Sequence, residues 1–370
     1  MRVLHIQKAT GISGSERHLL TLLPALRESG VTVRVCLLGA GDVALLADAF
    51  RAKAVDVHVV PAGPDLNPMA IQRLRREIRS FKPHIVHTHL IHADLHGQIA
   101  ARLEHCVGVT SEHGSHPKLA RQPYRTAART AAHFSRVIIA ISHHVAAWLA
   151  QYRIAAANRV RVVHYGIDAG NWELSADRRV EERRALCVGP HDVVVGVASR
   201  LVPFKGHDVL IEALAALDDY PNVRLLVAGD GPLRTVLEQR AAALPIGRVR
   251  FLGFVADIPE FMNACDLMAF PTQPGFGEGF GLAALEAMAA GRPVIASEID
   301  SLPEIVKHGS TGLLVPPGDV AGWTSAIARL AGDYATAEAF GRAGRRRAVS
   351  DFSLDAMARS TIAVYEEALS

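Results

Sequence analysis

Short runs rich in Val, Ile and Leu alternate with stretches of helical apolar spacing along nearly the whole chain, and this alternation limits the fold more than any other feature. The runs fall at residues 3–6, 31–38, 55–60, 85–87, 107–110 and 137–141, with segments such as 17–26 and 71–81 between them carrying apolar residues at helical steps. Strands apolar on both faces and separated by helices belong to parallel sheets, because crossover helices cover both faces. The pattern restarts at 193–198 and continues at 225–228, 249–252, 267–270, 294–296 and 312–315. Two doubly wound α/β domains are therefore expected, and 370 residues suffice for both. Ligands should meet the carboxyl ends of the strands, in the cleft between two facing domains. The expected division is a first domain over 1–168, a linker over 169–190 with a charge run at 177–184, a second domain over 191–352, and a terminal helix within 353–370.

Charge separates the two parts. Residues 1–168 hold 21 Lys and Arg against 11 Asp and Glu, whereas the remainder holds 19 against 26. Such a split points to different partners for the two domains. No apolar run approaches the roughly 18 residues of a membrane span, and the start of the chain has too short an apolar segment for a signal peptide. The four cysteines are scattered without CxxC spacing, as expected of reduced thiols in a cytoplasmic enzyme.

The most specific string is PGFGEGFGLAALEAMAAGRPVIAS at 274–297. Glu278 and Glu286 stand eight positions apart, the first in a glycine-rich turn and the second on the helix that follows. The glycines let backbone N–H groups approach a ligand, and a helix N-terminus attracts phosphate. Two carboxylates so separated suit hydrogen bonds to two hydroxyl-rich parts of one ligand. Arg200 and Lys205, in SRLVPFKGHDVL, follow a buried strand and suit a diphosphate, Arg through its forked guanidinium and Lys as a point charge.

These strings resemble the retaining glycosyltransferases of family four, which adopt the GT-B fold and carry an E-x7-E segment. VAGDGPLRTVLE, RVRFLGFVADIPEFMNACDLMAFPT and SLPEIVKHGSTGLLVPPGD match in order and spacing, so the likeness is close over 190–320. Over 1–165 it rests on the first glycine loop, the HTH strand end, His113, AISHHV and VHYGID. The resemblance implies sugar transfer from a nucleotide-sugar with retention, without bound metal or other cofactor, and a terminal helix within 353–370 that crosses back to the first domain. It gives Arg200 and Lys205 the donor diphosphate, Glu278 the sugar hydroxyls, and Glu286 the ribose. Gly279, Phe280, Gly281 and Leu282 would offer backbone contacts to sugar and phosphate, Gly231 a donor-side turn, and Val255 a place near the base. His113 would stand near the reaction centre. Gly14, in the loop ATGISGSERHLL, would meet phosphate or acceptor, although Ser13 stands where the family often has a second glycine. A UDP-sugar is the first expectation and GDP-mannose the second. The acceptor would be a glycan or a polyprenyl-phosphate-linked sugar in polysaccharide or cell-envelope synthesis.

His84, His87, His89, His92 and His96 could suggest a zinc site, but no HExxH arrangement accompanies them, and strand-end histidines lining a polar cleft are expected instead. Arg73, Arg75, Arg76, Arg79 and Lys82 flank one helix; Lys118, Arg121, Arg125, Arg129 and Arg136 recur at mostly helical spacing. They are either solvated faces or docking surfaces for an anionic membrane at its cytoplasmic side. Nucleic acid is disfavoured, because no aromatic residues are interleaved for stacking. Two other readings stay open: a non-catalytic nucleotide-sugar-binding subunit, and a GT-B-like UDP-sugar epimerase. An NAD oxidoreductase is disfavoured by the missing GxGxxG spacing.

Overall fold

The structure is a computed structural model and describes residues 1–9, 14–39, 43–63, 67–275 and 277–370. The chain forms two compact units. The first comprises Met1–Gly166 together with Leu354–Ser370, and the second comprises Ile167–Ser353.

The first unit holds strands β1 (Arg2–Lys8), β2 (Thr32–Leu38), β3 (Asp56–Val60), β4 (Ile85–His89), β5 (Val107–Glu112), β6 (Val137–Ala140) and β7 (Val160–Val162). They pair in parallel in the order β3-β2-β1-β4-β5-β6-β7. The second unit holds β8 (Val193–Ala198), β9 (Val223–Ala228), β10 (Val249–Gly253), β11 (Leu267–Phe270), β12 (Val294–Ser297) and β13 (Gly312–Val315). Their order is β10-β9-β8-β11-β12-β13, again parallel. Strand β7 has no counterpart among the apolar runs. It is a three-residue edge strand with every residue part-exposed, too short to declare itself.

Helices cover both faces of each sheet. In the first unit, Leu19, Leu22, Leu23 and Leu26 pack with Val3, Val35 and Ile85 on one face, while Leu74, Ile78 and Ala93 pack with Leu4, Ile6 and Val86 on the other. In the second, Trp323, Ile327 and Leu330 belong to one core cluster with Leu210, Leu214, Val195, Val197 and Leu225. Local chemistry starts several helices: the side chains of Asn67, Ser142, Ser175, Asp257, Asp319 and Asp333 each accept a hydrogen bond from a backbone N–H two or three residues on.

The stretch expected as a linker belongs to the second unit. It contains a helix, Ala176–Ala185, without one buried residue. Arginines attach it: Arg179 and Arg183 bond the Asp266 carboxylate, and Arg183 also reaches the carbonyls of Ala264, Gly189 and Asp192. The terminal helix Leu354–Leu369 packs in the first unit against helix Gly14–Glu28. No helix among the described residues is long and apolar enough to cross a membrane.

Candidate functional site

In the second sheet the chain winds outward from β8 through β9 to β10, and in the other direction from β11 to β13. Strands β8 and β11 are thus the neighbours at which the winding reverses, where open α/β sheets bind ligands. The loops leaving these two strands carry Arg200, Lys205 and Glu278.

Arg200 is exposed just after β8, and Lys205 ends the short turn Pro203–Lys205. Gly206 follows with φ +64°, and a Cβ there would collide with the Pro271 carbonyl oxygen. Only glycine lets this turn close on the chain leaving β11. A backbone bond from Gln273 N–H to the Phe204 carbonyl, 2.8 Å, seals the contact. Lys205 Nζ consequently lies 2.7 Å from Glu278 Oε2, and both side chains keep about a quarter of their surface in solvent (25% and 21%). The sequence assigned these two to different parts of a ligand; here they are bonded to each other.

Glu278 is held by its own backbone. Its N–H donates to Asp300 Oδ2 at 2.7 Å, and its carbonyl accepts from Ser301 Oγ at 2.6 Å. Asp300 and Ser301, from the loop after β12, were missed in the sequence; nothing in SEIDS announces that Asp300 adopts φ +54°. Gly281, with φ +83°, precedes the helix Leu282–Ala289, and a side chain there would come within 2.8 Å of Leu302 Cδ2. Gly279 and Leu282 are half-buried, and so is Glu286, farther along the helix. Phe280 is buried, edge-on to Phe352 with ring centroids 6.0 Å apart. Gly231 lies in the loop after β9, which is tied to the Arg200 loop by the bond from Leu201 N–H to the Asp230 carbonyl, 3.0 Å. Val255 follows β10 beside the exposed ring of Phe254. One strand-end edge therefore gathers two cations, two carboxylates and a helix N-terminus, suited to an anionic ligand bearing hydroxyl groups.

In the first unit, Gly14 opens a helix and is exposed, while Gly11 and Ser13 of the same loop lie outside the described residues. His113 directly follows β5. Its Nδ1 lies 2.5 Å from Tyr165 Oη and its Nε2 lies 3.0 Å from His89 Nδ1, so both ring nitrogens are engaged. His87 and His89 do not line an opening: both are fully buried, as is His5. Ring nitrogens of these three lie within 4.8 Å of one another, close enough to consider a metal. Every one of the six, however, has a hydrogen-bond partner, so the rings are satisfied as they stand. Of the other three histidines of this segment, His96 accepts from Asn67 N–H and bonds the His92 carbonyl, and His84 accepts from Arg2 N–H.

Burial sets the charge of this face. It lowers His5 and His113 to about 3. It also holds His18, His87 and His89 well below the usual 6.5, with neighbouring imidazoles adding to the effect. Burial raises Glu112 to about 7 and Asp94 well above 3.8, the latter helped by Glu112. The signs oppose. Below 6.5 the unfolded chain binds protons that the five histidines refuse, at about 1.4 kcal/mol per pH unit for each. Between about 7 and 4.5 the folded chain keeps protons on the two acids that the unfolded chain releases, which favours folding as pH falls. Five groups outweigh two, so the thermal midpoint should drop between about pH 7 and about pH 5. An equal or higher midpoint at the lower pH would contradict this balance.

Comparison with known proteins agrees with this fold. The family model described as Glycosyltransferase Family 4 matches residues 12–171, and that described as Glycosyl transferases group 1 matches residues 179–347. D-inositol 3-phosphate glycosyltransferase of Corynebacterium efficiens is 37% identical over 225 residues, covering 58% of this chain and 52% of the relative. The chain spans about half the length of the curated relatives it matches. The crystal structure of Anabaena Alr3699/HepE in complex with UDP has 24% identity and a TM-score of 0.88, covering 99% of this chain and all of that one. The same protein in complex with UDP-glucose gives 25% and 0.85 over the same coverage. Two consecutive family models, two doubly wound units and solved neighbours matched along their whole length lead to one conclusion: the chain belongs to the family-four glycosyltransferases of the GT-B fold.

Proposed function

We propose that this chain transfers a hexose, with retention at the anomeric carbon, from a nucleotide-sugar bound by its second unit to a glycan or polyprenyl-phosphate-linked acceptor. The observation that carries the reading is the meeting of Lys205 and Glu278, with Arg200 on the same strand-end edge, at the point where the sheet reverses. A UDP-sugar is the favoured donor and GDP-mannose the second; the complexes of HepE with UDP and UDP-glucose support the first.

In this reading Arg200 and Lys205 receive the charge that develops on the departing diphosphate, without a resident metal. Glu278 accepts hydrogen bonds from sugar hydroxyls, and its contact with Lys205 keeps the ammonium in place before the diphosphate arrives. The backbone around Phe280, Gly281 and Leu282 offers N–H groups, and Glu286 takes the ribose. His113 serves the donor sugar, exchanging one of its present hydrogen bonds to do so. The bond from C1 to the phosphate oxygen breaks, the acceptor oxygen bonds C1 from the same face, and the acceptor proton passes to the departing phosphate. Product of inverted configuration would exclude this path.

Membrane docking is a further part of the proposal. The helix of Arg73 does not support it well, since Arg75 and Arg79 both bond Glu104 and Arg73 bonds the Pro61 carbonyl. The second cluster does support it. No acidic residue occurs between Glu112 and Asp168. Lys118, Arg121, Arg129 and Arg136 are exposed, and within helix Tyr124–Phe134 the exposed Tyr124 and Arg129 contrast with the buried Ala128, Ala131 and Ala132. Each such cation contributes about 1 kcal/mol near an anionic surface.

Three outcomes follow. Arg200→Ala and Lys205→Ala should each lower turnover of a UDP-sugar by about 10²–10³; wild-type rates in both would remove the diphosphate assignment. In calorimetry with free UDP, Glu286→Ala should weaken binding clearly and Glu278→Gln little, and unchanged affinity in Glu286→Ala would end the ribose role. Co-sedimentation with phosphatidylglycerol vesicles should fall with salt and with Arg121→Glu plus Arg129→Glu. No binding to these vesicles at low salt would leave the cluster a solvated face.

A further inference from the structure

The pairing registers of the first sheet set a row of polar groups on one face. His5 lies opposite His87, and His89 lies opposite both Gln7 and Ser111. Side chains alternate along a strand, so His5, His87, His89 and Ser111 share a face. The same face carries Val3, Ile85 and Val109 two residues earlier on each strand, so it passes from apolar to polar toward the carboxyl ends. Tyr365, from the terminal helix Leu354–Leu369, is fully buried against it.

These groups form an unbroken run. Ser111 Oγ is 2.8 Å from His87 Nε2, and His87 Nδ1 is 2.7 Å from Tyr365 Oη. Tyr365 Oη reaches His5 Nε2 at 3.4 Å, the longest link. His5 Nδ1 is 3.0 Å from His89 Nε2, His89 Nδ1 is 3.0 Å from His113 Nε2, and His113 Nδ1 meets Tyr165 Oη at 2.5 Å.

A neutral imidazole has one N–H and one lone pair, and burial keeps these rings neutral. Each contact uses one proton. If Tyr365 donates to His5, then His5 donates from Nδ1 to His89, His89 from Nδ1 to His113, and His113 from Nδ1 to Tyr165. If Tyr165 donates instead, every link reverses and His113 carries its proton on Nε2. A mixed arrangement leaves two donors or two lone pairs facing each other, away from water. We propose that Tyr365 and His5 are positioning residues which, acting through His89, fix the ring nitrogen on which His113 holds its proton. For catalysis the proposal rests on the role of His113 given above; the proton order itself does not.

The test reads imidazole nitrogen shifts of the full chain by ¹⁵N NMR. The wild-type chain should show one dominant tautomer at His113. Tyr365→Phe removes only the hydroxyl, disconnects Ser111 and His87, and should leave His113 in a mixture of both tautomers. Ser111→Ala, at the far end and outside the proposed active centre, should move the same His113 signals through four intervening groups. Unchanged His113 signals in both variants, or a mixture already in the wild-type chain, would overturn the proposal. Turnover of a UDP-sugar by Tyr365→Phe should fall roughly tenfold, the scale of one lost hydrogen bond. Turnover by His113→Ala separates the two claims: full activity there, with the tautomer shift intact, would remove the catalytic role of His113 and leave the proton order standing.

Discussion

Parallel strands can be joined only by crossovers, and this constraint governs what the chain can build. Every loop leaving a strand emerges on the same edge of the sheet. At the reversal of strand order, two such loops diverge and leave room for a ligand. In the second unit these loops carry Arg200, Lys205 and Glu278, separated by 73 positions between Lys205 and Glu278 yet in direct contact. In the first unit the reversal falls between β1 and β4, and there the sheet presents His5, His87 and His89. Both reversals thus bear polar groups beside largely apolar cores.

The two edges are polar in different ways. The Lys205–Glu278 pair keeps partial contact with water, so its attraction is moderate and its partners can be exchanged for those of a ligand. The bonds of its own N–H to the Asp300 carboxylate and of the Ser301 hydroxyl to its carbonyl hold the glutamate in position whichever partner its carboxylate takes. The histidines are dry, neutral and mutually bonded, so their geometry is coupled rather than exchangeable.

The parts legible in the sequence were those that depend on local pattern. The run at 193–198 is apolar on both faces and flanked by turn residues, so both its strand character and its parallel setting could be read. Gly281 and Gly206 were visible as glycines, but the collisions that require them involve Leu302 and Pro271, distant in sequence or on another loop. The histidines of HTH stood out, but their burial beneath Tyr365, 278 positions away, did not. The segment 169–190 looked like a linker because arginine bonds to Asp266 and to carbonyls, rather than apolar packing, attach its helix. Polar attachment leaves no hydrophobic period to detect.

The central claim is that nucleotide binds the strand-end loops of the second unit. Hydrogen exchange of backbone amides, with and without UDP, tests it without any variant. Addition of UDP should slow exchange in residues 199–206, 229–233 and 278–284 and leave the amides at the amino ends of the same strands unchanged. Binding that slows none of these three segments would contradict the account.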